Sequence, residues 1–414
     1  MIVLNLELFI AHRLLGGGKG DTVSVPIVKI AVVGIALGVC VMLLSVFIIM
    51  GFKKEITDKL SGFTSYLEIT SCDEDALYAG QGVIVTDSLL GALCRIDGVK
   101  QVARYVTKPS ILKSDTDIHG VMLKGVDSLY DASFYGRHLS AGRLPVLNGL
   151  KASNEILLSA SVAGLLQVKV GDRIASHFVQ DPPRVRMFTV VGVYNTGFKE
   201  YDDMFVLCDI RHLQKLNGWQ ENEVTGVGVE LFELPKIAQV EEKIDKILPL
   251  DGVNSCFRVV SLHDVAPQIF DWLDLLNMNV VIILTLIVAV AGFNMVSGLL
   301  ILILDKTALI GILKALGYRN IRLQKLFLYI AIGLISKGML VGNLLALLLG
   351  GLQHWLQIVQ LDPEVYYMDT VPVCINIGAM ILLNMGVLLV SVLMLVIPTI
   401  LVSKIRPIKA IRFE

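Results

Sequence analysis

This chain is short of charge. Only 18% of its residues are Asp, Glu, Lys or Arg, against 54% hydrophobic, and its mean hydropathy is +0.69. A soluble domain does not normally carry that balance, so lipid must solvate part of this surface. Catalytic motifs are also lacking. His119, His138, His177, His212 and His263 are scattered, no paired-His or HExxH spacing occurs, and no serine sits in GxSxG. This excludes the common metal and nucleophile signatures. Gly16-Gly17-Gly18-Lys19-Gly20 lacks the spacing of a P-loop and the Ser or Thr that follows its lysine. It reads as a flexible cytoplasmic linker, so a chain that moves something must borrow its energy source.

Long apolar runs are abundant. Ile27 to Gly51, Val280 to Leu304, Leu326 to Leu352 and Val373 to Val402 are each long enough, at about 1.5 Å per residue, to cross a hydrocarbon core of about 30 Å. The first is too long for a cleaved signal peptide, and no small-residue cleavage site precedes Gly51-Phe52-Lys53-Lys54. Asp, Glu and His are missing from the span interiors, which argues against a membrane-embedded enzyme.

Basic residues near span ends stay preferentially in the cytoplasm. His12, Arg13 and Lys19 precede the first span, and Lys29 lies at its very start. Lys306, Lys314, Arg319, Arg322 and Lys325 lie between the second and third, and Lys404, Arg406, Lys409 and Arg412 follow the fourth. Both termini are therefore expected inside. The expected organisation is a cytoplasmic segment 1–26, helix 27–51, an extracytoplasmic domain 52–271, helix 272–304, a cytoplasmic link 305–325, helix 326–352, an outside loop 353–372, helix 373–402 and a cytoplasmic tail 403–414. Lys53 and Lys54 oppose the rule, but long domains translocate largely regardless of charge.

The outside segment alternates and punctuates like a folded α/β domain. From Asn154, NEILLSASVAGLLQVKVGDRI predicts a strand, a helix over Ser159–Leu166 and a turn at Val170-Gly171-Asp172 before another strand. Met187–Tyr194 and Met204–Cys208 predict further strands, with Asp209 capping a helix through Leu216. The spacing of Cys72, Cys94, Cys208 and Cys256 names neither a disulfide framework nor a metal site, so unpaired or structural cysteines are expected. Cys40 and Cys374 fall in or beside spans as small apolar residues.

Small residues four apart let helices approach closely in lipid. Gly34 and Gly38 form one such pair, and Gly338, Gly342, Ala346 and Gly350 continue a stripe along the third span. The sequence fits intrachain packing and a subunit interface equally. Lys337 lies near the middle of that span, at a cost of roughly 2.5 to 3.5 kcal/mol on insertion scales. It calls for a partner, a wet cavity or snorkelling, with Asn294, Ser297, Asn343, Asn384 and Ser391 as candidate neighbours.

In the cytoplasmic link, Asp305 can start a short helix in which Leu309, Ile310, Leu313 and Leu316 share a face before Gly317 ends it. An amphipathic helix here wants a docking partner. This stretch, DKTALIGILKALGYR, resembles the coupling helix of the FtsX-like permeases of ABC transporters. GIALGVCVMLLSVFIIMGFKKEI in span one, GRHL at Gly136, NEILLSASVAGLLQVKVGDRI, VVGVYNTGFKEYDDMFV, LDPEVYYMDTVP and the closing RPIKAIRFE narrow the resemblance to lipoprotein-releasing permeases of the LolC and LolE type.

The resemblance implies an α-helical membrane protein of the bacterial inner membrane, with four transmembrane helices and a MacB-like extracytoplasmic α/β domain between helices 1 and 2. It implies extraction of acylated lipoproteins for a LolA-like periplasmic carrier, and contact with membrane lipids but no nucleic acid. A LolD-like ABC ATPase subunit would dock on Leu309, Ile310, Leu313, Lys314, Leu316 and Gly317. ATP and Mg would bind that partner, with no cofactor or metal on this chain. A second permease, identical or homologous, would complete an acyl-chain cavity to which Met42, Val46, Met50, Phe52, Phe293 and Met295 are candidates. The stretch Ser176–Arg186 is short for the projecting hook with which some members engage the carrier. A MacB-type efflux permease and an FtsX-type relay controlling cell-wall hydrolysis share the fold as alternatives. MacB-type permeases carry a fused ATPase domain that this sequence does not show.

Overall fold

The computed structural model describes residues 9–10, 24–72, 82–147, 149, 151–232, 237–248 and 257–404. The glycine run at 16–20, Cys256 and the tail positions Arg406, Lys409 and Arg412 lie outside these residues. In chain order the elements are α1 Ser24–Phe63, β1 Leu67–Ser71, β2 Val83–Ile84, α2 Asp87–Cys94, β3 Val99–Lys113, β4 Ile118–Val126, α3 Ser133–Arg137, β5 Leu139–Gly142 and β6 Glu155–Ser159. There follow α4 Ala160–Leu165, β7 Arg173–Phe178, β8 Arg184–Tyr194, α5 Lys199–Asp202, β9 Phe205–Asp209, α6 Ile210–Asn217, β10 Glu223–Val224 and β11 Gly226–Leu231. The chain continues with α7 Ile237–Ile247, β12 Phe257–Ser261, α8 Leu262–Val265, α9 Pro267–Asp305, α10 Thr307–Ala315, α11 Asn320–Leu356, α12 Pro363–Tyr366 and α13 Ile377–Lys404.

The fold divides into two compact units. One comprises Met1–Lys53, Trp272–Val359 and Thr370–Glu414; the other comprises Lys54–Asp271 with the short return Gln360–Asp369.

The first unit holds the apolar helices. α1, α9, α11 and α13 each contain a window long and apolar enough to cross a membrane. Such runs are helical because lipid offers no partner to the backbone, which must satisfy itself within the segment. α1, α9 and α11 extend past the apolar runs that announce them at both ends, whereas α13 begins after Val373. Asn376 explains that start: its side-chain oxygen accepts from the backbone N–H of Ala379 at 3.1 Å, an N-cap placed after Pro372. The core of this unit is a seam of Val39, Leu43, Phe47, Met295, Leu299, Leu326, Phe327, Ile330 and Leu395.

The second unit is built on a ten-stranded sheet in the order β12-β1-β11-β3-β4-β9-β6-β8-β5, with β7 bridging β3 and β8. Most pairs are antiparallel; β4–β9 and β6–β8 are parallel. The expected strand, helix and strand from Asn154 form β6, α4 and β7, and the Ser159 hydroxyl caps α4 by accepting from Val162 N–H at 3.1 Å. Asp209 caps α6 in the same way, accepting from Arg211 N–H at 3.0 Å. Gly142 (φ +80°) sits where a Cβ would fall 2.3 Å from the Val191 carbonyl oxygen, so glycine alone lets β5 close on β8. Ser176–Arg186 forms the two ends of a β7–β8 hairpin paired as far as Phe178 and Arg184, leaving a five-residue turn at 179–183 in place of a projecting loop. Cys94 and Cys208 are free thiols, while Cys72 is disulfide-bonded.

Candidate functional site

α9 runs to Asp305, so that residue closes the second membrane helix and Lys306 occupies the cap position of α10. The end of α10 falls where the sequence places it. Gly317 adopts φ +87°, its N–H bonds Lys314 O and Tyr318 N–H bonds Leu313 O, both at 3.0 Å, the paired bonds of a Schellman stop. The expected docking face divides into two sets. Ile310 is fully buried, and Leu313 is half-buried against the same core seam. Leu309 and Lys314 are half-buried, while Leu316 is 79% exposed and Gly317 is exposed. The exposed ridge also includes Ile312, 52% exposed, one turn before Leu316. The sequence reading omits Ile312; its i, i+4 relation to Leu316 is the signal that could have found it.

The candidate cavity residues divide in the same manner. Met42 and Met295 are buried in the seam, and Met295 also lines an apolar void of about 20 Å³ with Ala31, Ile35, Leu299, Ala331 and Leu334. Phe52 is buried and meets Trp272 edge-on at 6.3 Å. Val46 and Met50 are half-buried, and Phe293 is 73% exposed. Phe293 shares an exposed stripe with Leu286 and Val290 on α9, and α1 exposes Ile30, Val33, Leu37 and Val41 at helical spacing. Met42 and Met295 hold the helices together, whereas Phe293 stands on an open face.

The small-residue stripe is intrachain packing. A Cβ on Gly338 would lie 2.8 Å from Ile35, and one on Gly342 would lie 2.6 Å from the Ala36 carbonyl oxygen. Ala346 is fully buried, and Gly350 abuts Val373, Leu44 and Phe47. These residues seat α11 on α1. Gly34 and Gly38 face the other way, toward Asn294 and Ile287 of α9. Asn343 and Asn384 exchange hydrogen bonds at 3.1 and 2.9 Å, joining α11 to α13. Lys337 is exposed on α11, and that asparagine pair is satisfied without it.

In the second unit, a polar core surrounds the C-terminal end of α1. Lys124 on β4, 2% exposed, donates to the carbonyls of Phe63 at 2.6 Å and Thr64 at 3.2 Å, placing a cation where the helix dipole ends negative. Its ammonium lies 5.4 Å from the ring centres of Tyr105 and Tyr130. Tyr105 donates to Glu68 at 2.8 Å, and Glu230 lies on the neighbouring strand β11. Burial pushes the Glu230 carboxyl up to about 7 although Lys124 pulls it down, and it raises Glu68 as well. Burial lowers Lys124 itself, against the attraction of both glutamates. A cavity of about 190 Å³ opens here, lined among others by Asp58, Lys100, Lys124, Arg137 and Glu230. The one sequence signal for this arrangement is a lysine inside the apolar strand VMLKGV.

An apolar four-helix unit with a mixed sheet inserted after its first helix is a distinctive chain order. The MacB-like periplasmic core domain family matches residues 30–247, more than half of the chain, and the FtsX-like permease C-terminal family matches residues 281–407. The chain belongs to the FtsX-like permeases with a MacB-like periplasmic core domain. Within this family it is similar to the lipoprotein-releasing system transmembrane protein LolC of Neisseria meningitidis serogroup B, at 26% identity over 100% of both chains. It is similar to the corresponding LolE of Haemophilus influenzae at 22% identity over 98% of both. The macrolide export ATP-binding/permease protein MacB of Bdellovibrio bacteriovorus is 24% identical, over 55% of this chain and 34% of its own length. The FtsX-like match thus covers α11, α13 and most of α9, and the MacB-like match runs from α1 through α7 and so takes in most of the sheet.

Proposed function

We propose that this chain is the transmembrane permease subunit of a lipoprotein-releasing ABC transporter of the inner membrane, extracting acylated lipoproteins for transfer to a periplasmic carrier. The observation that carries this reading is the end-to-end similarity to permeases named for lipoprotein release, in contrast to the partial match with MacB. The cargo presents a definite physical problem. Each buried methylene of an acyl chain contributes about 0.8 kcal/mol of anchoring, so a lipoprotein with several chains will not leave unaided.

Energy would come from a separate ATPase carrying ATP and Mg, docked on the exposed ridge Ile312–Leu316 of α10, with Leu309 and Leu313 bracing that helix from beneath. The open stripes of α1 and α9 would face a second permease, identical or homologous, with Phe293, Val46 and Met50 nearest the acyl chains. The sheet unit would lie outside: a disulfide at Cys72 suits an oxidising compartment, and the basic link 305–325 suits the cytoplasm, with both termini inside. The short β7–β8 turn disfavours direct hooking of the carrier by this chain.

The test is reconstitution. The chain, its ATPase and its companion permease, placed in proteoliposomes with an acylated lipoprotein, should transfer that lipoprotein to soluble carrier only with ATP. Transfer that ignores ATP, or no transfer by an ATP-hydrolysing complex, would refute the reading.

A further inference from the structure

Two sequence motifs that the membrane unit does not use meet at one lysine. Lys59 lies on α1 beyond the first span, in the same continuous helix, and is only 6% exposed. Its ammonium donates to the carbonyl of Tyr367 at 3.2 Å. Tyr367 belongs to the return Gln360–Asp369, the segment between α11 and α13 that groups with the sheet unit. That return closes on itself through Leu361 N–H to Asp369 O at 2.8 Å.

The opposite wall is the turn Asn195–Asp203. Buried Asp202 holds it in shape, accepting from the Thr196 N–H at 3.1 Å and the Thr196 hydroxyl at 2.8 Å. The Phe198 ring, fully buried, lies 4.8 Å from the Tyr367 ring and 4.7 Å from that of Tyr201. Gly197 adopts φ +72°, and a Cβ there would stand 3.6 Å from the Asp369 carboxylate and 3.7 Å from the Lys59 ammonium, so the turn meets both charged groups closely. Glu55, Asp369 and Asp202 are the carboxylates that act on Lys59 electrostatically.

Tyr367 itself has φ +59°, a left-handed conformation that a bulky residue adopts only when its surroundings over-determine it. Its carbonyl is the acceptor for Lys59 and its ring the partner of Phe198. The strained residue is therefore held from both sides by the joint.

We propose that Lys59, with Asp369 and the Asn195–Asp203 turn, is a positioning joint that holds the return between α11 and α13 on the sheet unit and couples nucleotide turnover to cargo release. This rests on the reading of the chain as a lipoprotein-releasing permease. The logic is connectivity. The return leads by peptide bonds into two membrane helices and Lys59 sits on a third, so one buried ammonium ties three chain connections to one sheet. A joint of this kind does nothing for ATP hydrolysis itself; it sets how much of each turnover reaches the cargo.

The test uses the full complex in proteoliposomes, reading lipoprotein released per ATP hydrolysed and hydrogen–deuterium exchange of residues 360–369 and 195–203. Lys59→Met and Asp369→Asn should leave basal ATP hydrolysis intact, speed exchange in both segments together, and cut release per ATP at least fivefold, the low end of the roughly 5–150-fold range of site-to-site coupling. Lys59→Arg, which keeps a cationic donor for the Tyr367 carbonyl, should retain most of the release. Unchanged release per ATP, or release and hydrolysis falling in one proportion, would overturn the proposal. Should Lys59→Met fail to fold, Asp369→Asn alters an exposed carboxylate and decides alone. A wild-type complex that hydrolyses ATP but releases no lipoprotein would sink the transport reading. The exchange data would still judge the joint: coordinated loosening keeps it, and unchanged exchange ends it.

Discussion

The two units of this molecule treat apolar surface in opposite ways. In the sheet unit, Leu67, Val106, Leu123, Ile156, Leu158, Val227 and Val229 are completely buried in one continuous core. In the membrane unit, the most apolar window of α1 is 39% buried, but that of α9 is only 11% and that of α13 17%. The first pattern is a domain that water alone will fold. The second is an incomplete object, closed within the chain where α11 sits on α1 and open to lipid or another subunit along α9. Polarity is inverted as well. The sheet unit buries Lys124 and half-buries Glu68 among hydrogen-bonding partners, whereas the membrane unit leaves Lys337 on an exposed face.

That contrast can be broken first on α10, which has one face in each regime. Ile310→Asp should abolish the folded membrane unit, because an unpaired carboxylate replaces a fully buried apolar side chain. Leu316→Asp and Ile312→Asp should leave yield and the sheet unit's melting unchanged while ATPase co-purification is lost. Equal behaviour of Ile310 and Leu316 would erase the division of this helix. Next in size is Lys124→Met, which strips two carbonyls of their donor and leaves Glu68 and Glu230 without their cation. A loss of about 3–5 kcal/mol is expected, read as a lowered melting transition of the sheet unit.

A smaller effect sharpens the account of the seam. Gly342→Leu must push apart backbones whose gap leaves 2.6 Å for a Cβ, at about 1–3 kcal/mol in thermal unfolding of the purified chain. Gly34→Ala, with 4.0 Å to Asn294, should be nearly neutral. The smallest is a pH effect. Because Glu230 titrates near 7 in the fold and at the ordinary carboxylate value when unfolded, the native state binds the extra proton between those limits. Its burial therefore costs nothing in acid and its full penalty above pH 7. Glu230→Gln should gain stability relative to the parent as pH rises from about 5 to 8, measured by paired melts; a gap that narrows would contradict the buried-carboxyl assignment.

The sequence made the spans and caps legible because each is a local signal. The apolar runs, Asp209 and the Gly317 stop all act within a turn or a span of their own position, whereas Ser159, read as the first helical residue, caps α4 and Asp305, read as a helix start, ends α9. The inward face of α10 was not legible, since Leu309, Ile310, Leu313 and Leu316 look alike until the neighbouring helix chooses among them. Met42 and Met295 carried the same ambiguity between packing and cavity. The small-residue stripe left two readings open, and only the fit of Gly338 and Gly342 against α1 selects one. The polar core at Lys124 depends on pairs far apart in sequence, Phe63 with Lys124 and Glu68 with Tyr105, which no periodicity announces.

The most direct test of the central claim is depletion of this protein in its own cell, followed by separation of inner and outer membranes and assay of acylated lipoproteins in each. Their accumulation in the inner membrane is the predicted result. Normal lipoprotein sorting, accompanied by altered drug sensitivity or cell-wall hydrolysis, would contradict it.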